Sequence, residues 1–198
     1  MSKKSNTFIG FWCQFFDQFA ISAVCSLNYD WIALDMEHGI YSYKDISILS
    51  NIISSHNKIP FVRLEESNQI NIQRSLDSGA KGLILPMIED PKNLISLVSK
   101  MKYPPFGKRS VGFANSNQFG LNLNNNLNSK FKPYLVIQIE SVKGIDNLED
   151  LLKIKEIDAI MVGPYDLSAS LGCPGDFKNK KFINSLKKIN QIISKSPK

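Results

Sequence analysis

The sequence predicts an α/β fold of the (β/α)₈ TIM-barrel type. Short apolar runs alternate along the chain with segments of helical periodicity. Several of these runs are apolar throughout, which is typical of parallel strands covered by helices. Charged residues follow the ends of several runs, and a barrel collects such residues on one face. We expect one domain over residues 1–198, with about six βα units where a complete barrel has eight.

The strand predictions rest on runs rich in β-branched and aromatic residues. These runs are Thr7–Trp12, Trp31–Met36, Ile59–Leu64, Gly82–Met87, Tyr134–Glu140 and Asp158–Gly163. An open, doubly wound sheet is the alternative, but it would spread the strand-end residues along a wide edge. No glycine-rich phosphate loop follows the first run, which argues against a nucleotide-binding fold.

Helical periodicity separates the runs from one another. The predicted helices are Ser42–Ser55, Asn68–Ser78, Pro91–Met101, Ile145–Ile154 and Lys180–Ser194. Gly79 follows the second of them, as is common at a helix carboxyl terminus. A long connection runs from Pro104 to Pro133, and connections of that length are usually functional or disordered. We expect its first half on the rim near the site and its second half, with Asn122–Asn128, to be mobile surface.

Composition excludes several classes of function. The formal charge is +6, but lysines are spread along the chain and mixed with acids, so we expect no nucleic-acid partner. Three cysteines without metal spacing argue against a disulfide framework and favour a reducing compartment. Gln14 and Asp17 interrupt an amino-terminal segment that faintly imitates a signal peptide. We therefore expect a cytoplasmic protein with no membrane partner.

Two acids, Glu140 and Asp166, each stand at the end of an apolar run. Barrel strands present residues at that position to a ligand. Hard divalent cations take oxygen ligands, and two carboxylates leave coordination positions open for water and substrate. The placement therefore suggests a divalent metal site. The alternative is that each acid lies on the surface or caps a helix.

Other strand ends carry a base and a cation. His38 is one of two histidines, and we predict that it acts as a general base oriented by Asp35. Arg63 ends the third run, where its planar fork suits an oxo acid. The alternatives are a rim histidine bonded to a loop, and an arginine in a salt bridge with Glu37 or Glu65. A metal, a base and an anion clamp together predict an enolate-forming lyase.

Six motifs, in the same order, resemble the HpcH/HpaI family of class II pyruvate aldolases. They are Asp35-Met-Glu-His-Gly39, Val62-Arg63, Gly79-Ala-Lys-Gly-Leu-Ile-Leu-Pro-Met87, Tyr103-Pro-Pro-Phe-Gly-Lys-Arg109, Gln138-Ile-Glu140 and Val162-Gly-Pro-Tyr-Asp-Leu-Ser168. The resemblance extends from about Phe8 to Gly172. It implies a metal-dependent barrel that reversibly cleaves a 4-hydroxy-2-oxo acid into pyruvate, or a related oxo acid, and an aldehyde.

The resemblance also implies roles for individual positions. Glu140 and Asp166 match the ligands of Mg²⁺, Mn²⁺ or Co²⁺, and His38 with Asp35 matches the catalytic histidine pair. Arg63 matches an arginine that contacts the oxo acid. The substrate-binding positions implied are Trp12, Arg63, Gln138, Pro164 and Ser168. The expected partners are a small oxo acid and further copies of the chain in a homo-oligomer.

The chain departs from the family pattern in two places. Asn115 stands where the family usually has an arginine, and the last two βα units are expected to be missing. Two other hypotheses remain open. One is a truncated, non-catalytic remnant or an assembly subunit whose barrel another chain completes; the other is a lyase for malyl- or citramalyl-CoA. The Asp35–Gly39 run and the Gly163–Ser168 run favour the aldolase.

Overall fold

The structure is a computed structural model that describes residues 7–128 and 132–196. Within these residues six parallel strands form one sheet in the order of the chain. The strands are β1 (Gly10–Cys13), β2 (Trp31–Asp35), β3 (Ile59–Arg63), β4 (Gly82–Leu85), β5 (Tyr134–Ile139) and β6 (Ala159–Val162). Helices alternate with the strands, as in a partial TIM-type barrel, so the predicted fold class is confirmed.

The register of the sheet sets the positions of the strand ends. Asp35 pairs with Arg63 at the ends of β2 and β3, and Ile139 pairs with Val162 at the ends of β5 and β6. Because all strands run in one direction, the residues that follow them leave the sheet at the same edge. The predicted site residues on four strands therefore lie along one carboxyl edge.

Nine α-helices lie among the described residues. They are α1 (Gln18–Cys25), α2 (Tyr43–Ser55), α3 (Gln69–Asp77), α4 (Pro91–Met101), α5 (Leu123–Asn128), α6 (Val142–Asp146), α7 (Leu148–Leu151), α8 (Pro164–Ser170) and α9 (Lys180–Ser194). Of these, α2, α3, α4 and α9 end close to their predicted bounds. Ser42 and Asp45 form a capping box at the start of α2, and Asn68 caps α3. Among the described residues, no helix is both long and apolar enough to cross a bilayer.

The predicted single helix Ile145–Ile154 is wrong. The segment instead contains α6 and α7, separated at Asn147, whose φ of −94° and ψ of 3° lie outside the helical range. The Asn147 side chain donates a hydrogen bond to the Glu89 carbonyl at 2.7 Å. This bond joins the break between α6 and α7 to the loop between β4 and α4. Hydrophobic periodicity alone does not reveal such a contact.

The core lies between the sheet and its helices. Side chains of β2 to β5 such as Ile32, Leu34, Val62 and Leu83 pack there without solvent exposure. The other face of the sheet carries a second, smaller cluster of Ala33, Phe61 and Ile84. Burial on both faces explains why these strands are apolar throughout.

The prediction that the long connection begins on the rim near the site is wrong. The buried Arg109 pairs with Asp77 at the end of α3 at 2.6 Å. Asn115 donates to the Ser78 carbonyl, just before β4 begins. The connection therefore lies at the amino ends of the strands, opposite the predicted site, because α4 has already returned the chain to that end. Its asparagine-rich part contains the short helix α5.

Candidate functional site

Asp35 and Arg63 form a bidentate ion pair at the carboxyl edge of the sheet. Arg63 Nε lies 2.8 Å from Asp35 Oδ1, and Nη2 lies 2.6 Å from Oδ2. Both residues are buried, with Asp35 fully so. The pairing of the two residues across β2 and β3 places the edge of the guanidinium against both carboxylate oxygens.

Further donors from β1 and the following loop surround Asp35. Trp12 Nε1 donates to Oδ2 at 3.1 Å and Gln14 Nε2 donates to the same oxygen at 2.7 Å. The Trp12 ring also stacks on the Arg63 guanidinium, 5.1 Å from its centroid. Burial alone would raise the pKa of Asp35, but hydrogen bonds from Arg63, Gln14 and Trp12 outweigh it and lower the pKa to about 2.

The expected side-chain pairing of Asp35 with His38 is not formed. Asp35 Oδ1 accepts instead from the backbone N–H groups of Glu37 and His38, at 3.1 and 3.2 Å. Arg63 already donates to both oxygens of this carboxylate. His38 itself is exposed at the carboxyl edge. A role for His38 as a base therefore does not depend on Asp35 holding its tautomer.

Glu37 pairs with Arg63 from a second direction. Its Oε2 lies 2.8 Å from Arg63 Nη1, so the salt bridge to Glu37 that we weighed as an alternative is present. Burial raises the pKa of Glu37, Arg63 and His38 oppose that rise, and Asp35 and Asp166 add to it. Arg63 is consequently held between two carboxylates. Two of its nitrogens, Nη1 and Nη2, each retain a second N–H for another acceptor.

Glu140 follows β5 and is 2% exposed. Its Oε1 accepts from the Met87 backbone N–H at 2.7 Å, and its Oε2 accepts from Gln138 Nε2. Burial raises the pKa of Glu140, and nearby Glu37 and Asp166 add to that rise, although the bonds from Met87 and Gln138 oppose it. Glu140 is thus a buried, oriented carboxylate in a region of negative charge.

The turn after β4 provides the backbone donor to Glu140. Met87 has a φ of 52°, a left-handed conformation that non-glycine residues seldom adopt. Such strained residues cluster at functional sites. Sequence reasoning missed this donor because a backbone N–H has no side-chain signature; the Pro86-Met87 step at a strand end was the available sign. Gln14 was also missed, although it directly follows β1.

Asp166 lies in the first turn of α8, where a carboxylate interacts favourably with the helix dipole. Its side chain is exposed, and its charge reaches both Glu37 and Glu140, since it raises the pKa of each. Glu140 directly follows β5 and Asp166 lies in the first turn after β6, so the two acids leave neighbouring strands at the same edge. Pro164 is the exposed first residue of α8.

Ser168 is fully buried in α8. Its hydroxyl donates to the Tyr165 carbonyl at 2.7 Å, and the same oxygen accepts from the Gly175 N–H at 2.8 Å. The second bond joins α8 to the loop that follows it. Ser168 therefore orders this loop, and its contact with a substrate stays a prediction.

The residues present fit a divalent cation held by two carboxylates. Within residues 7–128 and 132–196, no group of three or more His, Cys, Asp and Glu side chains is arranged to hold a metal. Glu140 and Asp166 would contribute two oxygen ligands and leave the remaining positions to water or substrate. Gln138 adds a sign of an incomplete site, because its buried Oε1 has no hydrogen-bond partner within the described chain.

The model of the HpcH/HpaI aldolase/citrate lyase family matches residues 9–196. The chain belongs to this family. This match confirms the resemblance that the six sequence motifs indicate.

Family relatives of known structure share the fold. A family protein from Burkholderia cenocepacia J2315 is 28% identical, with a TM-score of 0.88 over 94% of this chain and 76% of its own. The HpcH/HpaI aldolase from Desulfitobacterium hafniense DCB-2 is 24% identical, with a TM-score of 0.82 over 95% of this chain and 74% of its own. This second likeness concerns the fold alone.

Curated relatives in the family carry the name 2-keto-3-deoxy-L-rhamnonate aldolase. The protein of Klebsiella pneumoniae is 33% identical over 175 residues, which is 87% of this chain and 66% of the relative. That of Salmonella gallinarum is 32% identical over 174 residues, 87% of this chain and 65% of the relative. The chain thus spans just under two thirds of the length of these relatives.

Proposed function

We propose that the chain is a metal-dependent aldolase that reversibly cleaves a 4-hydroxy-2-oxo acid into pyruvate, or a related oxo acid, and an aldehyde. The observation that carries the proposal is the position of Glu140, a buried carboxylate whose pKa is raised by burial and by the charges of Glu37 and Asp166. A buried negative charge of this kind is stabilised by a cation. The aldolase names of the curated relatives support the same chemistry.

Glu140 and Asp166 would hold Mg²⁺, Mn²⁺ or Co²⁺ through carboxylate oxygens. Such a cation, when bound, supplies a Lewis acid for the negative charge that develops on the oxo-acid oxygen. Met87 and Gln138 fix the Glu140 carboxylate through hydrogen bonds, so that its direction is set before the ion arrives.

Arg63 would bind the oxo acid near its carbonyl. Two carboxylates fix its guanidinium, and Trp12 covers one face of it. The second N–H groups of its terminal nitrogens remain to donate to the substrate. Since the guanidinium is immobilised before binding, little conformational entropy is lost when the oxo acid arrives.

His38 would exchange a proton with the 4-hydroxyl group. In the cleavage direction the imidazole takes that proton, directly or through water, the C3–C4 bond breaks and the aldehyde leaves. The electron pair of that bond remains on the pyruvate fragment, whose C3 is then protonated. General base catalysis of this kind is worth about 10²–10⁴ in rate. The exposure of His38 gives it access to solvent and to the incoming hydroxyl.

We also propose that the chain forms a homo-oligomer. The long connection carries large apolar side chains that are exposed in the single chain, among them Phe106, Phe113, Phe119 and Leu121. Exposed apolar patches in soluble proteins commonly mark association surfaces. Light scattering coupled to size exclusion checks the proposal: a folded species of defined mass above 22.3 kDa is expected. A folded monomer would contradict it.

Proton exchange on pyruvate tests the aldolase proposal. The protein is incubated with pyruvate in D₂O and Mn²⁺ or Mg²⁺, and deuterium entry into the methyl group is followed with and without chelator. We expect exchange that requires the metal and is lost in the Glu140→Gln variant. The matched control is Glu149→Gln, which changes an exposed acid on α7. A folded wild-type protein without metal-dependent exchange would contradict the proposal.

A further inference from the structure

Gly163 joins β6 to α8, between Val162 and the helix that carries Asp166. It is buried, its N–H donates to the Ile139 carbonyl at 3.3 Å, and its own carbonyl accepts from the Leu167 N–H at 3.0 Å. Its φ of −86° and ψ of 98° are accessible to any residue type. Conformational freedom therefore does not explain a glycine at this position.

Space explains it. A Cβ added to Gly163 would lie 2.8 Å from Gln138 Nε2 and 3.0 Å from Glu140 Cβ, and closer still to Glu140 Oε2. These atoms belong to the carboxylate that follows β5 and to the amide that holds it. The surface of Gly163 is thus one wall of the space that Glu140 occupies.

We propose that Gly163 is a positioning residue for the metal site, because its missing side chain lets the Glu140 carboxylate lie against the end of β6. The inference rests on the proposed function, in which Glu140 and Asp166 share a cation. Gly163 precedes Asp166 by about one helical turn and lies against Glu140. Its small size therefore determines how closely the Glu140 carboxylate can approach Asp166.

The atoms that oppose a side chain at position 163 determine what an alanine would do. The two nearest, Glu140 Oε2 and Gln138 Nε2, are the far ends of flexible side chains, and the third, Glu140 Cβ, lies 3.0 Å away. Rotation of the two side chains relieves the closest overlaps, and a small shift of Glu140 relieves the third. Gly163→Ala therefore displaces the candidate ligand and leaves the fold in place.

Metal titration tests this without substrate. Binding of Mn²⁺ to the wild type and to Gly163→Ala is measured by electron paramagnetic resonance and calorimetry. We expect Kd to rise about 10- to 100-fold, the range seen when groups that orient metal ligands are altered. The matched control is Gly112→Ala, whose added Cβ meets no atom within 4 Å, and it should bind Mn²⁺ like the wild type. Unchanged Mn²⁺ affinity in Gly163→Ala would overturn the proposal.

A double-mutant cycle in stability tests the contact independently of metal. Gly163→Ala is made alone and together with Glu140→Ala, and each variant is unfolded in urea. We expect the alanine at 163 to cost less stability when Glu140 is truncated, since Oε2 is then gone. Equal cost in both backgrounds would show that Gly163 does not position Glu140. A wild type that binds no Mn²⁺ while the cycle shows coupling would instead contradict the proposed function.

Discussion

Two pairs of neighbouring strands present acids at the same edge in opposite electrostatic situations. On β2 and β3, Asp35 is matched by Arg63 and by donors on and just after β1, and these hydrogen bonds keep it ionised despite its burial. On β5 and β6, Glu140 and Asp166 form no ion pair with any described cation, and burial makes ionisation of Glu140 less favourable. The first pair is compensated by groups of the chain itself, whereas in the proposed function the second pair is completed by a bound cation.

Removing the uncompensated acid should produce the largest change in activity. Glu140→Gln keeps the size of the side chain and removes its charge, so the Lewis acid is lost. A Lewis acid of this kind is worth several kcal/mol of transition-state stabilisation, so kcat/KM should fall roughly 10²- to 10⁴-fold. Steady-state cleavage assays with added Mn²⁺ check this, with Glu149→Gln as control. Retained activity would remove the distinction between the two pairs.

Removing the compensated acid should instead destabilise the fold. Asp35→Asn leaves a buried arginine with one partner fewer, and breaking a buried ion pair costs about 3 kcal/mol or more. The comparison variant is Asp166→Asn, an exposed position where the change should stay within about 0.5 kcal/mol. Urea unfolding measures both. Equal losses in the two variants would show that Asp35 is not the structural member of the set.

Low pH should destabilise the fold by protonating Asp35. The folded-state pKa of Asp35 is about 2 and its ordinary value is 3.8. Because the folded value is depressed, the stabilisation is present above pH 3.8 and is lost as pH falls towards 2. A shift of this size corresponds to about 2 kcal/mol. Urea midpoints recorded between pH 6 and pH 2 should decline less in Asp35→Asn than in the wild type; parallel profiles would contradict the assignment.

The smallest effect is expected at the aromatic partner of the matched pair. Trp12→Phe retains a ring beside Arg63 but removes the N–H that donates to Asp35. The loss of one hydrogen bond to a charged acceptor should cost about 1–2 kcal/mol. Thermal or urea unfolding checks this value. A variant as stable as the wild type would show that Gln14 and Arg63 satisfy Asp35 without the indole.

The sequence predicted the elements that depend on local pattern. The apolar runs predicted the six strands that the structure describes. Asp35, Arg63 and Glu140 lie at the ends of these runs, and Asp166 follows shortly after the last one. Helix α1 was missed because it is short and only Ile21 and Cys25 mark its buried side, while Phe19 on the same helix is 89% exposed. Tertiary contacts decide such a segment, and periodicity does not record them.

The remaining differences arise from contacts between distant parts of the chain. Asp35 pairs with Arg63 across neighbouring strands instead of with His38 three residues away, because register brings the arginine fork into its plane. The long connection was placed at the wrong end because its direction depends on α4 reversing the chain.

The left-handed turn at Met87 has a consequence for how the protein tolerates mutation. The donor that fixes Glu140 Oε1 belongs to the main chain, so replacing the thioether chain leaves this anchor intact. Residues that readily adopt a positive φ, such as glycine or asparagine, should be interchangeable there, whereas proline would delete the N–H altogether. The orientation of the Glu140 carboxylate should therefore survive most side-chain substitutions at position 87.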